Sequence, residues 1–145
     1  MQSPWQTLGE MPDVELVWTT DDELLCGDDA WWDPDSRQIY LDSRLKQVVK
    51  RCALAHELAH VVREDSTCGD PHHDDRMEIA ADRLAARWLL PDLDAIAQAF
   101  VTAESNGHAA EMLRVTVEIL EARYAALHPS ERHYIRRQVA EVRHA

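Results

Sequence analysis

His56, Glu57 and His60 stand in the stretch LAHELAHVV (residues 54–62) at the spacing H-E-x-x-H. In a helix, positions i and i+4 lie on one face about one turn apart, so the two imidazoles can reach one metal ion. Two ligands do not make a site. Catalytic zinc usually takes three protein ligands and keeps a fourth position for water, so a third donor must come from elsewhere in the chain. So short a pattern also arises by chance in a chain rich in His and Glu, and its surroundings decide whether it is chemistry.

Four kinds of third donor follow within reach: Cys68, the pair His72 and His73, Asp74 with Asp75, and Glu78 with Asp82. The stretch MEIAADRLAARWLLP favours Glu78. On a helix Glu78, Ala81, Asp82 and Ala85 share one face, where small alanines permit close approach to a neighbouring helix while the carboxylates point across the gap. Carboxylates placed there are costly unless paired or bound to metal. The inference is that Glu78 ligates and that Asp82, one turn on, accepts a hydrogen bond from a ligand histidine. A solvated surface glutamate is the competing account of Glu78, and it weakens beside H-E-x-x-H. Glu57 needs no ligand role. Its carboxylate can take a proton from water on the metal, whose pKa falls toward ~7, and the resulting chemistry is peptide hydrolysis. His72 and His73 are candidates to stabilise the oxyanion of a tetrahedral intermediate, against the plainer account of solvated loop residues.

Such a constellation needs two facing helices. Asp42 or Ser43 can cap a helix from about residue 44 to 63, in which Leu45, Val48, Val49, Cys52, Leu54, Leu58, Val61 and Val62 recur at helical spacing. The polar stretch DSTCGDPHHDD (65–75) reads as a loop, and a second helix runs from about 76 to 90, stopped by Pro91. The first forty residues read as strands and turns: VELVWTT (14–20), then AWW and RQIYL flanking the turn Asp33-Pro34-Asp35-Ser36 as a hairpin. Trp31 and Trp32 are read as sheet packing. Beyond Pro91 three helical stretches can be drawn: 92–104, 108–127 with a break near Arg114, and 130–143 capped by Ser130. Strands first and helices after them predict an α+β domain.

Composition narrows the function classes. At 145 residues, 46% apolar and 29% charged, the chain can bury one core and is not a disordered tail. No apolar run is long enough to span a bilayer. The stretch MQSPWQTLGEMPDVEL has neither the basic start nor the apolar core of a signal peptide, which predicts a cytoplasmic protein. Cys26, Cys52 and Cys68 form no CxxC pair and are read as free thiols, packed or inert. A net charge of -12 repels phosphate backbones, so direct DNA binding is not expected. The one dense basic stretch, ERHYIRRQVAEVRH, reads as a solvated helix face.

HELAH, followed eighteen residues after its second histidine by E-x-x-A-D-x-x-A-A-x-x-L-x-P (Glu78 to Pro91) and preceded by RQIYLDSRL, resembles the ImmA/IrrE metallopeptidases over about residues 37–92. These are small zinc proteins of bacteria, phages and mobile elements. The resemblance implies a minimal gluzincin-like α+β fold with a small N-terminal antiparallel or mixed sheet, two active-site helices and a helical C-terminal part. It implies one zinc per chain held by His56, His60 and Glu78, with Glu57 as general base. It also implies an endopeptidase cleaving a helix-turn-helix transcriptional repressor of a phage, mobile element or stress regulon. The sequence departs from the pattern in Arg-Trp-Leu-Leu-Pro, where the family often has Met before the Pro, and is expected to work without an added C-terminal sensor domain.

Residues 1–91 are expected to form the metallopeptidase core and 92–145 a helical substrate-docking or packing region, compact with it. HAAEMLRVTVEILEARYAAL in that region resembles a helix-turn-helix, yet Glu118 and Glu121 would face phosphates badly. The strand at 37–41, leading into the zinc helix, is expected to offer its edge to an extended substrate. Two readings compete with the peptidase: a non-catalytic regulator that binds a repressor or DNA around a structural metal, and a toxin–antitoxin component. Glu57 separates the first of them, since a structural site needs no base.

Overall fold

The computed structural model describes residues 3–66 and 71–143, and of 71–73 the backbone alone. A three-stranded mixed sheet, β1 (Glu15–Thr19), β2 (Ala30–Asp33) and β3 (Gln38–Asp42), is followed by a run of helices, giving the expected α+β class. Strand order is β1-β3-β2, with β1 parallel and β2 antiparallel to β3. The β2–β3 hairpin closes where Asp-Pro-Asp-Ser places it: Asp33 Oδ1 accepts from the Asp35 amide at 3.1 Å and Oδ2 from the Ser36 hydroxyl at 2.8 Å. Because β3 is the central strand, both its edges are taken. The strand expected to receive substrate therefore cannot, and the edge left open on this side of the sheet belongs to β2.

A short helix, α1 (Pro4–Gly9), opens the stretch that was expected to hold strands and turns. Ser3 and Gln6 exchange side-chain to backbone hydrogen bonds in a capping box, and Pro4 sits at the first helical position. The helix carrying H-E-x-x-H, α2 (Gln47–Arg63), begins three residues later than expected. Asp42 does not cap it; its carboxylate accepts from the Arg44 amide and guanidinium, all at 2.9 Å, and is held below the usual carboxylate range by that arginine. The next helix, α3 (Pro71–Leu89), begins five residues earlier than expected. Its first residue is a proline, which lacks only an amide that would go unpaired there, and Asp74 complements the positive end of the first turn.

α2 lies between two hydrophobic clusters. Leu54, Leu58 and Val61 pack on Ile39, Leu41 and Trp32 of the sheet, whereas Cys52, Ala55 and Ala59 face α3. Val48 and Val62, counted by periodicity among the apolar face, are 38% and 51% exposed. Ala55, Ala59, Ala81 and Ala85 are fully buried in one cluster, so the two helices meet through methyl groups. Ala85→Leu should therefore overpack the seam and cost about 1–3 kcal/mol, read as a lower denaturation midpoint. An unchanged midpoint would mean that the seam is looser than its burial indicates.

The remaining helices, α4 (Leu93–Thr102), α5 (Asn106–Met112), α6 (Val117–Ala125) and α7 (Pro129–Arg143), complete the second cluster. Arg114 breaks the 108–127 stretch as expected, its φ of 57° placing it in the left-handed region between α5 and α6. Ile96, Ala109, Val115, Ile119, Leu120, Leu127 and Ile135 share one core with Ala59 and Ala81, so α4–α7 are built into the same body as the motif helix. No helix among the described residues is long and apolar enough to cross a membrane.

Candidate metal centre

His56 and His60 emerge from α2 at the seam between its two buried faces, where neither cluster claims them. Their rings meet edge to face with centroids 4.7 Å apart, and the two Nε2 atoms are 3.1 Å apart. Glu78 reaches across from α3: Oε2 lies 2.8 Å from His56 Nε2 and Oε1 3.1 Å from His60 Nε2. All three donor groups fall within 4.8 Å of one another. The alanine seam sets this distance, since larger side chains would hold α3 and its carboxylate away.

The opposite ring nitrogens are also fixed. His56 Nδ1 donates to Asp82 Oδ1 at 2.7 Å, so Asp82 stands where it can accept from one of the pair. His60 Nδ1 donates to Asp65 Oδ2 at 3.0 Å, and Arg63 Nε donates to the same oxygen at 2.9 Å. Sequence reasoning missed Asp65. Glu64 ends α2 in the left-handed conformation (φ 58°) and the Asp65 amide returns to the His60 carbonyl, folding the acid back onto the ring. The available signal was a carboxylate placed directly after the helix end, five residues from the second histidine.

Burial opposes protonation of His56, but hydrogen bonds to Asp82 and Glu78 outweigh it and raise its pKa to about 10. His60 is raised likewise, burial being overcome by Glu78 and Asp65. The same hydrogen bonds hold Glu78 well below the usual carboxylate range. Glu57, only 7% exposed, goes the other way: burial pushes it up to about 7, although the nearby His56 and His60 pull it down. One constellation thus contains a carboxylate driven to ionise and another driven to hold a proton, the separation expected of acid–base chemistry.

These groups open into a cleft of about 940 Å³. One wall is β2 with the turn on either side of it, and the other is the start of α6, through Thr116, Glu118 and Ile119. Trp32 packs in the sheet core as expected, and both it and the half-buried Trp31 border the cleft. Asp28, also in the lining, is raised by burial and by the charges of Glu78 and Asp29. Cys52 lies on the floor, its thiol pushed up by burial, and Cys26 is exposed; both are free thiols. Cys68 lies outside the described residues, as do the side chains of His72 and His73, candidates for the oxyanion role. In HAAEMLRVTVEIL, expected to serve packing or substrate docking, Ala109, Ala110, Val115, Ile119 and Leu120 are buried in the core and Met112 is exposed.

The donor set suits a divalent ion. Two imidazole Nε2 atoms and a carboxylate converge at 2.8–3.1 Å from one another, a few tenths of an ångström inside the roughly 3.3 Å that separates tetrahedral ligands about 2 Å from one centre. Both rings are locked through Nδ1 by carboxylates, the arrangement that orients metal-bound histidine and raises its basicity. The family model Peptidase_M78, described as the IrrE N-terminal-like domain, matches residues 20–124, a wider span than the motifs alone cover. No curated protein and no solved structure matches the chain.

Proposed function

Because the chain belongs to the IrrE N-terminal-like Peptidase_M78 family, we propose that it is a cytoplasmic zinc endopeptidase acting on a specific protein, a helix-turn-helix repressor of a phage, mobile element or stress regulon. The convergence of His56, His60 and Glu78, with both histidines braced from behind, carries this reading. These three residues would hold one zinc, and Asp82 and Asp65 would fix the rings. Bound there, the metal would supply Lewis acidity, polarising the scissile carbonyl and easing deprotonation of water. Glu57 does the proton work: its carboxylate accepts a proton from the attacking water and returns it to the departing amine. Burial keeps that carboxyl from ionising too readily, so it can hold the proton between the two events.

Substrate positioning falls to β2. Among the described residues it pairs on one side only, with β3, and Ala30–Asp33 line the cleft beside the motif helix. An extended peptide added to that edge would gain main-chain hydrogen bonds while its alternate side chains enter the cleft. The net charge of -12 favours encounter with a basic DNA-binding protein over DNA.

Incubation with a helix-turn-helix repressor from the same genetic neighbourhood, followed by mass spectrometry, tests the reading. One dominant cut is expected in a segment able to extend, abolished by a chelator and restored by stoichiometric zinc. A repressor bound tightly yet never cut, with zinc present, would support the non-catalytic regulator instead.

A further inference from the structure

A second cavity, of about 810 Å³, lies on the far side of α6 from the metal cleft, bounded by α4, α6 and α7. Its walls are apolar, formed by Phe100, Leu120, Tyr124, Ile135 and Val139. Its charged lining is mostly cationic: Arg132, Arg136 and Arg143 follow one another along α7, and Glu121 on α6 is the single acid. In a chain of net charge -12, this is a local reversal of sign.

The three arginines are not equivalent. Arg132 is spent within the fold, donating to the carbonyls of Tyr124 and Ala125 at 3.3 and 2.6 Å and lying over the Tyr124 ring. Arg143 donates to the Ala103 carbonyl at 3.4 Å. Arg136 is exposed and, among the described residues, has neither a hydrogen bond nor an ion pair, even to Glu121. Among the three, only Arg136 has its whole guanidinium fork available.

We propose that this groove binds a small anionic amphiphile, with its apolar body against Phe100, Leu120, Ile135 and Val139 and its single carboxylate-type head on Arg136. Volume, apolar walls and a few convergent polar groups are the marks of a small-molecule site. One free guanidinium fits one head group, whereas an acidic helix laid along α7 would need a row of free cations. Guanidinium and carboxylate make paired, charge-assisted hydrogen bonds, and the flanking arginines add long-range attraction. A ligand there braces α6, which also forms a wall of the metal cleft through Thr116, Glu118 and Ile119.

Dodecanoate and dodecyltrimethylammonium, both below micelle-forming concentrations, give a direct test by calorimetry on the full-length chain. They share a tail and differ in the sign of the head. Non-specific attraction to a protein of this charge favours the cation, so selective, saturable 1:1 binding of dodecanoate is expected only from a built site. Arg136→Glu should weaken it by roughly tenfold or more, the value of one charge-assisted pair. Ala140→Trp, which fills the groove from its exposed lining, should abolish it, with circular dichroism confirming that both variants fold. Amide shifts on titration should cluster on α4, α6 and α7. The proposal is overturned by absence of saturable dodecanoate binding, by equal affinity for the cation, by undiminished binding to folded Arg136→Glu, or by shifts confined to the metal cleft. None of these outcomes depends on peptidase activity.

Discussion

Glu78→Ala should bind zinc at least a hundredfold more weakly than the parent chain, and cleavage should fall with occupancy. Among the described residues, this carboxylate alone faces both histidine Nε2 atoms from a different helix, contacting His56 Nε2 at 2.8 Å and His60 Nε2 at 3.1 Å. Its depressed pKa reflects that coupling: two imidazoles stabilise its charge. Removing it leaves two neighbouring nitrogens on one helix, too few for a catalytic site. Asp82→Asn and Asp65→Asn should have smaller effects, about tenfold to a hundredfold, because they alter how a ring is held and leave the donor set intact. His72→Ala and His73→Ala should retain metal. Thermal shift provides a second readout, since zinc at a hundred times its Kd stabilises the parent by about 2.7 kcal/mol and should barely move Glu78→Ala. If metal analysis finds full occupancy in Glu78→Ala and loss in the His72 or His73 variants, the third ligand belongs to the first turn of α3.

The motif helix, the facing Glu78 helix, the β2–β3 hairpin and the break at Arg114 were legible because each has a local cause. Periodicity, alanine spacing, Asp-Pro-Asp-Ser turn chemistry and a residue driven into the left-handed region all act within a few positions. Helix starts were read less well. Pro71 reads in sequence as loop punctuation, although a proline opens a helix as readily as it ends one, and the Ser3–Gln6 capping box lies in a stretch whose composition favours strands and turns. Sheet order had no local signature. β1 and β3 are parallel neighbours through the register Glu15 to Gln38, a pairing between segments more than twenty residues apart, and it puts β3 in the centre and β2 at an edge. Asp65 and the cation-lined groove depend likewise on how chain ends and helix faces turn in space, which periodicity does not encode.

Glu57→Gln should keep the fold and the zinc while lowering cleavage by about 10²–10⁴-fold, the usual worth of a positioned general base. The amide nearly matches the carboxylate in shape but cannot accept the proton. Glu57 lies on α2 between the two histidines and is buried at 7% exposure, so its environment is costly for a charge and its pKa rises to about 7, burial outweighing the opposing pull of His56 and His60. The sign of the stability effect follows. An acid whose folded pKa lies above its unfolded value destabilises the fold as pH rises through that interval, and the full cost applies above the folded value. Glu57→Gln removes this cost, so above about pH 7 the zinc-free variant should melt no lower than the zinc-free parent. A structural carboxylate would behave oppositely, losing stability on amidation. Undiminished turnover by a folded, zinc-loaded Glu57→Gln would remove the general-base assignment, and with it the feature that separates a peptidase from a regulator built around the same metal.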